Sequence, residues 1–202
     1  SEISELIKER IKDFDAGDWE PGATFDLSIS DKAGIVKSYE AVTEYCGWSS
    51  IEAGKTMGLF PYGKENDKIP NIVDKNDLPY PTTNRNVILP RYPNGAVVNS
   101  APYEYLRDDT DGDTTLLQNR RDMAYAVQTE SQQAVADLIR HAVKISGSNN
   151  VVISGGYGLN CVANYYYLKE LKDEGIEIYV EPISNDAGTA IGAALLGYYS
   201  LE

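Results

Sequence analysis

Residues 151–156 read Val-Val-Ile-Ser-Gly-Gly. An apolar run ending in Ser-Gly-Gly is a buried strand that turns sharply into a helix, and glycine alone lets a phosphate or ribose approach the backbone that closely. The design repeats downstream. The short strand expected over 176–180 delivers a carboxylate, Asp186, to its C-terminal edge, and Ala187-Gly188 then opens a helix that is small-sided along one face. Carboxylates and glycine turns collected at strand ends make a nucleotide and metal site. Asn160, expected one turn into the first helix, adds an amide within reach of a ribose or phosphate.

The chain leading to these turns divides by pattern. Leu6, Ile7, Ile11 and Phe14 stand at helical spacing over 4–14, residues 15–22 break that helix, and Phe25, Leu27 and Ile29 alternate as in a strand over 23–29. A helix is expected from Asp31 through Cys46, stopped by Gly47. Ser49-Ser50-Ile51-Glu52 is a capping-box pattern for a further short helix ended by Gly58. Seven of the nine prolines fall between 61 and 115. That density predicts an irregular insertion, about 64–115, with one short hairpin around 87–98. It reads either as a carrier of specificity or as a surface excursion packed by its tyrosines. A long helix follows over 116–146, with Met123, Val127, Val135, Leu138, Ala142 and Ile145 on one face, ended by Gly147. Helix, strand, helix, strand, helix is the order of an α/β, ribonuclease-H-like lobe.

Charge narrows the function classes. With 31 acidic against 18 basic residues and a net charge of −13, the surface repels nucleic acid and anionic membrane. No apolar run has the length of a membrane span, and no signal peptide opens the sequence. Cys46 and Cys161 fall inside expected helices and read as buried free thiols, which suits a reducing cytoplasm. At 202 residues the chain forms one sizeable core, so 1–202 is read as a single domain.

Two tempting motifs fail on spacing. Gly54-Lys55-Thr56 would need a glycine at position 49 to be a P-loop, where Ser49 stands, and a strand before it where a helix is expected. The acidic run 108–113 lacks the glycine and the terminal glutamate of a calcium loop and reads as a solvated turn. His141, the one histidine, has no nearby second ligand in sequence and reads as a surface or half-buried residue.

Tyr39-Glu40-Ala41-Val42-Thr43, then Gly47, then 53–63 with Gly-Lys-Thr-Met-Gly-Leu at 54–59, and finally the two strand-end turns stand in a fixed order. Together they resemble the carbamoyltransferase family, which includes nodulation-factor and antibiotic O-carbamoyltransferases. More distantly they resemble the tRNA threonylcarbamoyl-transfer proteins of the actin and sugar-kinase ATPase superfamily. The resemblance runs from about residue 30 to the end and is weak between about 64 and 119. It implies the C-terminal lobe of a carbamoyl-transfer domain. In such an enzyme, ATP and carbamoyl phosphate give carbamoyl adenylate, and a small-molecule hydroxyl accepts the carbamoyl group. By that resemblance Gly54, Lys55, Gly155, Gly156 and Asn160 hold the nucleotide, with Lys55 also acting on phosphate or carbamoyl oxygen. Asp186 ligates a divalent metal, iron or another transition metal, with two histidines of a first lobe that this chain lacks. An adenylate-forming domain is likewise expected outside it. For Lys55 the alternative is a lysine at a helix C-terminus, favoured by the dipole. A kinase-type phosphotransferase lobe and a non-catalytic lobe retained as a binding partner are the rival readings of the whole.

Overall fold

The computed structural model describes residues 34–74, 81–91, 95–106, 117–185 and 187–200. The chain divides into Ser1–Ser30 and Asp31–Glu202, and every described residue belongs to the second unit. The helix over 4–14, the strand over 23–29, the acidic turn over 108–113 and Asp186 itself lie outside the described residues.

Helix α1 (Ile35–Tyr45) buries Tyr39, Ala41, Val42 and Thr43 on one face. It ends as expected at Gly47, whose φ of +94° few L side chains adopt, and a Cβ there would stand 2.8 Å from Arg120 Nη1. The Ser49–Glu52 capping box is formed, over a 3₁₀ turn Ser50–Glu52 that opens α2 (Ala53–Leu59). Gly58 does not stop α2. The helix runs through it into a 3₁₀ turn, Phe60–Tyr62, where Phe60 stacks on Tyr125 at 5.5 Å. The turn ends at Gly63, where a Cβ would sit 2.0 Å from the Arg121 carbonyl oxygen, so only glycine fits there.

In its described parts the proline-rich stretch is not a surface excursion. Its strands are short: β1 (Val73–Asp74) pairs antiparallel with β2 (Thr82–Thr83), and β3 (Ile88–Arg91) pairs antiparallel with β4 (Gly95–Val98), the expected hairpin. Yet Ile69, Ile72, Val87, Ile88, Ala96 and Leu106 are all buried, in one cluster with Tyr39, Val42, Met123 and Val127. Prolines cut the ladders, and apolar side chains still fill the core between α1 and the next helix.

That helix, α3 (Gln118–Ser146), has 29 residues and is about 43 Å long. Its carboxylates tie the insertion down. Glu130 Oε2 accepts the N–H groups of Ile72 and Val73 at 2.8 and 2.9 Å. Asp122 is buried and accepts from Lys64 N–H, Asn66, Gln118 and the Tyr105 hydroxyl at 2.7–3.1 Å. Burial alone pushes the Asp122 carboxyl up, and those four hydrogen bonds together outweigh it and hold the group below its ordinary value.

The buried face of α3 departs from the expected one. Met123 and Val127 are buried, but Leu138, Ala142 and Ile145 are exposed. Between its two apolar ends α3 instead buries polar Gln128, Ser131 and Gln132. Its second half joins Ala136 and Ile139 to Ala163, Tyr167, Leu171 and Ile176 in a second cluster. Gly147, at φ +70°, ends the helix as the sequence predicts.

Strand β5 (Asn150–Ile153) follows, then α4 (Cys161–Glu170), β6 (Glu177–Val180) and α5 (Ala187–Tyr199). β5 and β6 pair in parallel, with Val151 opposite Ile178 and Ile153 opposite Val180. The expected helix and strand order is therefore present in a mixed α/β fold. One face of the strand pair packs into the second cluster through Val151, Ile153 and Ile178. On the other, Val152 is 67% and Tyr179 56% exposed. Among the described residues no helix is long and apolar enough to cross a membrane.

Candidate functional site: paired turns at the strand ends

Both strands of the parallel pair end in turns, and the turns touch. After β5, Ser154, Gly155 and Gly156 are exposed, and Gly155 takes φ +97°, a conformation that requires glycine. A 3₁₀ turn, Gly156–Leu159, leads to α4. Gly158 is buried, and a Cβ on it would lie 3.3 Å from Ser184 Oγ, in the turn after β6. Ser184 is itself buried and its hydroxyl donates to the Glu181 carbonyl. Asn185 Oδ1 accepts from Ala187 N–H at 2.9 Å and so opens α5. Gly188 is needed there, since a Cβ would sit 2.7 Å from the Ile183 carbonyl oxygen. The crevice at the carboxyl ends of parallel strands is the position where open α/β sheets bind ligands.

In front of Gly155 and Gly156 there is room. Among the described residues, an added Cβ at either meets nothing within 4 Å beyond its own chain neighbours. Neither glycine donates its N–H to a protein acceptor among the described residues. Such free, exposed donors at a helix entrance suit an anionic ligand.

Asn160 is not one turn into the helix. It is the N-cap of α4, with Oδ1 accepting from Ala163 N–H at 3.0 Å, and it is only 8% exposed. Its amide faces inward: Nδ2 donates to Gln128 Oε1 at 3.0 Å, and Gln128 Nε2 donates back at 3.4 Å. Gln128 Oε1 also accepts the Tyr39 hydroxyl at 2.8 Å, while Gln128 Nε2 donates to Gln132 at 3.1 Å. The ring of Tyr39 meets Tyr157, inside the glycine turn, edge-on at 6.2 Å, and Tyr157 donates to Ser131 at 2.9 Å. Burial first, then the neighbouring Tyr157, push the Tyr39 hydroxyl far above its ordinary pKa, so it is held as a donor.

The Gly-Lys-Thr-Met segment reaches the same place. Met57 of α2 lies 3.8 Å, sulfur to sulfur, from Cys161 at the start of α4. Thr56 donates to Thr43 at 2.8 Å, and Thr43 donates to the Tyr39 carbonyl, binding α2 to α1 in the interior. Lys55 is in the first turn of α2, not at a helix C-terminus. It is half exposed, paired with Glu52 at 2.5 Å, and stands 6.0 Å from the Trp48 ring centroid. Gly54 has open space where a Cβ would go.

The two cysteines differ, against the expectation that both are buried. Cys46 is buried at the end of α1, and Cys161 is exposed because it is the first residue of α4, beyond the Asn160 cap. His141, on α3, is half-buried as expected. Among the described residues no three His, Cys, Asp or Glu side chains form a group that could hold a metal ion.

Sequence reasoning named Gly155, Gly156 and Asn160 but missed Gln128, Gln132 and Ser131. In sequence, Gln128 and Gln132 stand four apart beside the apolar stripe of α3 and read as solvent-facing.

The family described as Carbamoyltransferase N-terminus matches residues 9–195, including the proline-rich stretch in which the resemblance is weak. The chain is 34% identical over 164 residues to the uncharacterized protein sll1178 of Synechocystis sp., covering 78% of this chain and 26% of that protein. It is 28% identical over 190 residues to the nodulation protein NolNO of Sinorhizobium fredii, covering 87% and 24%. It is 33% identical over 81 residues to the nodulation protein NolO of Bradyrhizobium diazoefficiens, covering 39% and 14%. This chain thus spans about a quarter of the length of the first two relatives. The motifs that frame the paired turns all fall inside the matched region, and the chain belongs to the carbamoyltransferase N-terminus family.

Proposed function

We propose that this chain supplies the nucleotide-holding part of an enzyme that moves a carbamoyl group from carbamoyl adenylate to a small-molecule hydroxyl. The reading takes it as the second, ribonuclease-H-like lobe of a transfer domain of the actin and sugar-kinase type. ATP and carbamoyl phosphate are consumed to form the adenylate elsewhere in the complete enzyme. The acceptor oxygen attacks the carbamoyl carbon, the bond from that carbon to the phosphate oxygen breaks, AMP leaves and the hydroxyl proton is lost.

The observation that carries this reading is the open Gly155-Gly156 backbone at the end of a parallel strand, against the turn that leads to Asp186. In it, the N–H groups of Gly155 and Gly156 hold the adenylate phosphate, and Asn160 fixes their turn by capping α4. Gly54 and Lys55 approach from α2. Lys55 exchanges its exposed Glu52 partner for a substrate oxygen, a small cost because exposed ion pairs are weak. Asp186 contributes one carboxylate to a transition-metal site, iron or another, whose other ligands come from outside this chain.

Gly156→Ala in the full-length enzyme tests the reading. The added methyl meets no described residue within 4 Å beyond its chain neighbours, so the variant melts normally, and AMP binds about tenfold more weakly because the methyl occupies the phosphate's approach. Wild-type AMP affinity in this variant overturns the assignment.

A further inference from the structure

Gln128 is fully buried on α3, far in sequence from either strand-end turn, and its amide is fully used. Oε1 accepts from Tyr39 and Asn160, and Nε2 donates to Gln132 and Asn160. The orientation is forced by one backbone group. Ala163 N–H can only donate, so Asn160 must turn Oδ1 toward it and Nδ2 toward Gln128. Gln128 must then present Oε1 to Asn160, which sends Nε2 to Gln132 and makes Tyr39 a donor.

We propose that Gln128 is a positioning residue for nucleotide binding: through Asn160 it fixes the start of α4 and thereby the Gly155-Gly156 backbone that receives the phosphate. This rests on the reading that the turn holds the adenylate. Tyr39 extends the arrangement to α1, so the first family segment acts on the glycine turn through one buried amide. Packing alone does not require this pattern, because an apolar side chain of similar volume fills a core without demanding four hydrogen bonds.

Gln128→Glu is the sharpest probe. It keeps size and the acceptor that Tyr39 and Asn160 use, but it sets a carboxylate oxygen against Asn160 Oδ1. Asn160 cannot escape by turning over, since Nδ2 would then face Ala163 N–H. In the full-length enzyme AMP binding should weaken about tenfold, the scale of one lost buried hydrogen bond. Asn160→Ser, which keeps a capping oxygen, should weaken it similarly, and the double variant should be no weaker than Asn160→Ser alone. Should Gln128→Glu not melt cooperatively, Tyr39→Phe carries the test. It keeps the ring against Tyr157 and loses only the hydroxyl, and AMP affinity should fall about two- to threefold.

Wild-type affinity in folded Gln128→Glu, or in Tyr39→Phe if that variant must serve, overturns the proposal. So do losses that multiply in the double variant, because Gln128 would then act independently of Asn160. The Gly156→Ala result separates the two failures. Weakened binding there with normal binding in Gln128→Glu sinks the positioning role alone. Normal binding in Gly156→Ala sinks the site and this role with it.

Discussion

The two ends of α3 sit in differently finished surroundings. Around its first half, α1, α2 and the proline-rich strands bury Val42, Ile72, Val87, Ile88, Leu106 and Met123 completely or nearly so. Around its second half, β5, α4 and β6 bury one side of a parallel strand pair and leave Val152 and Tyr179 bare on the other. Helix α5 is bare as well, with Ile191, Leu195, Leu196, Tyr198 and Tyr199 exposed. Parallel sheets are ordinarily covered on both faces. The first region is thus held by its own core, whereas the second, which carries the glycine turns, derives its order from one face and from the buried amides that tie it back to α1 and α3.

The largest expected effect lies in the first region. Ile88→Ala removes side-chain volume from a closed cluster and should destabilise the chain by about 2–5 kcal/mol in a denaturant titration. A loss under about 1 kcal/mol would mean that the first region is no better packed than the second.

The next effect is electrostatic. Asp122→Asn leaves donors around Asp122 imperfectly matched and should cost about 1–3 kcal/mol at neutral pH. The folded Asp122 carboxyl is held below its ordinary value. Its contribution is therefore fully present above the unfolded group's pKa and is lost as pH falls through the lower folded value. Melts of wild type and Asp122→Asn should accordingly converge on acidification, and a gap that persists into strong acid would show that the charge of Asp122 does not matter.

The smallest effect belongs to the bare sheet face. Val152→Ala should change stability by less than about 0.5 kcal/mol, since the side chain is mostly in water already. A loss of about 2 kcal/mol or more would mean that Val152 is covered, and that the contrast between the two regions is false.

The legibility of the sequence follows the same division. The strand-to-turn segments were readable because Ser-Gly-Gly and Asn-Asp-Ala-Gly impose backbone geometry locally, and Gly47 and Gly147 stop their helices by positive φ whatever surrounds them. The proline-rich core was not, because its buried residues come in short runs between prolines, such as Ile72-Val73 and Val87-Ile88, and show neither helical nor strand periodicity. The polar centre of α3 was hidden for another reason. Gln128 looks like a solvent-facing residue until Tyr39 and Asn160, 89 and 32 positions away, come to meet it, and Gln132 is drawn in through Gln128. Asn160 was picked out as a site residue, but its inward direction is a tertiary fact. The burial of Cys161 was misjudged by one helix boundary: with Asn160 as the cap, the next side chain faces out.

That boundary gives the molecule an unequal pair of thiols. Burial pushes the Cys46 thiol up to about 12, with Arg120 opposing only in part, so at neutral pH it is almost wholly protonated as well as enclosed. Thiol reagents and oxidants attack the thiolate. In the folded chain they meet Cys161 first, at the mouth of the glycine turn and beside Met57. A single maleimide dye would thus mark the N-terminal end of α4 and leave the interior unlabelled, placing a fluorescent reporter beside the glycine turn of the native chain.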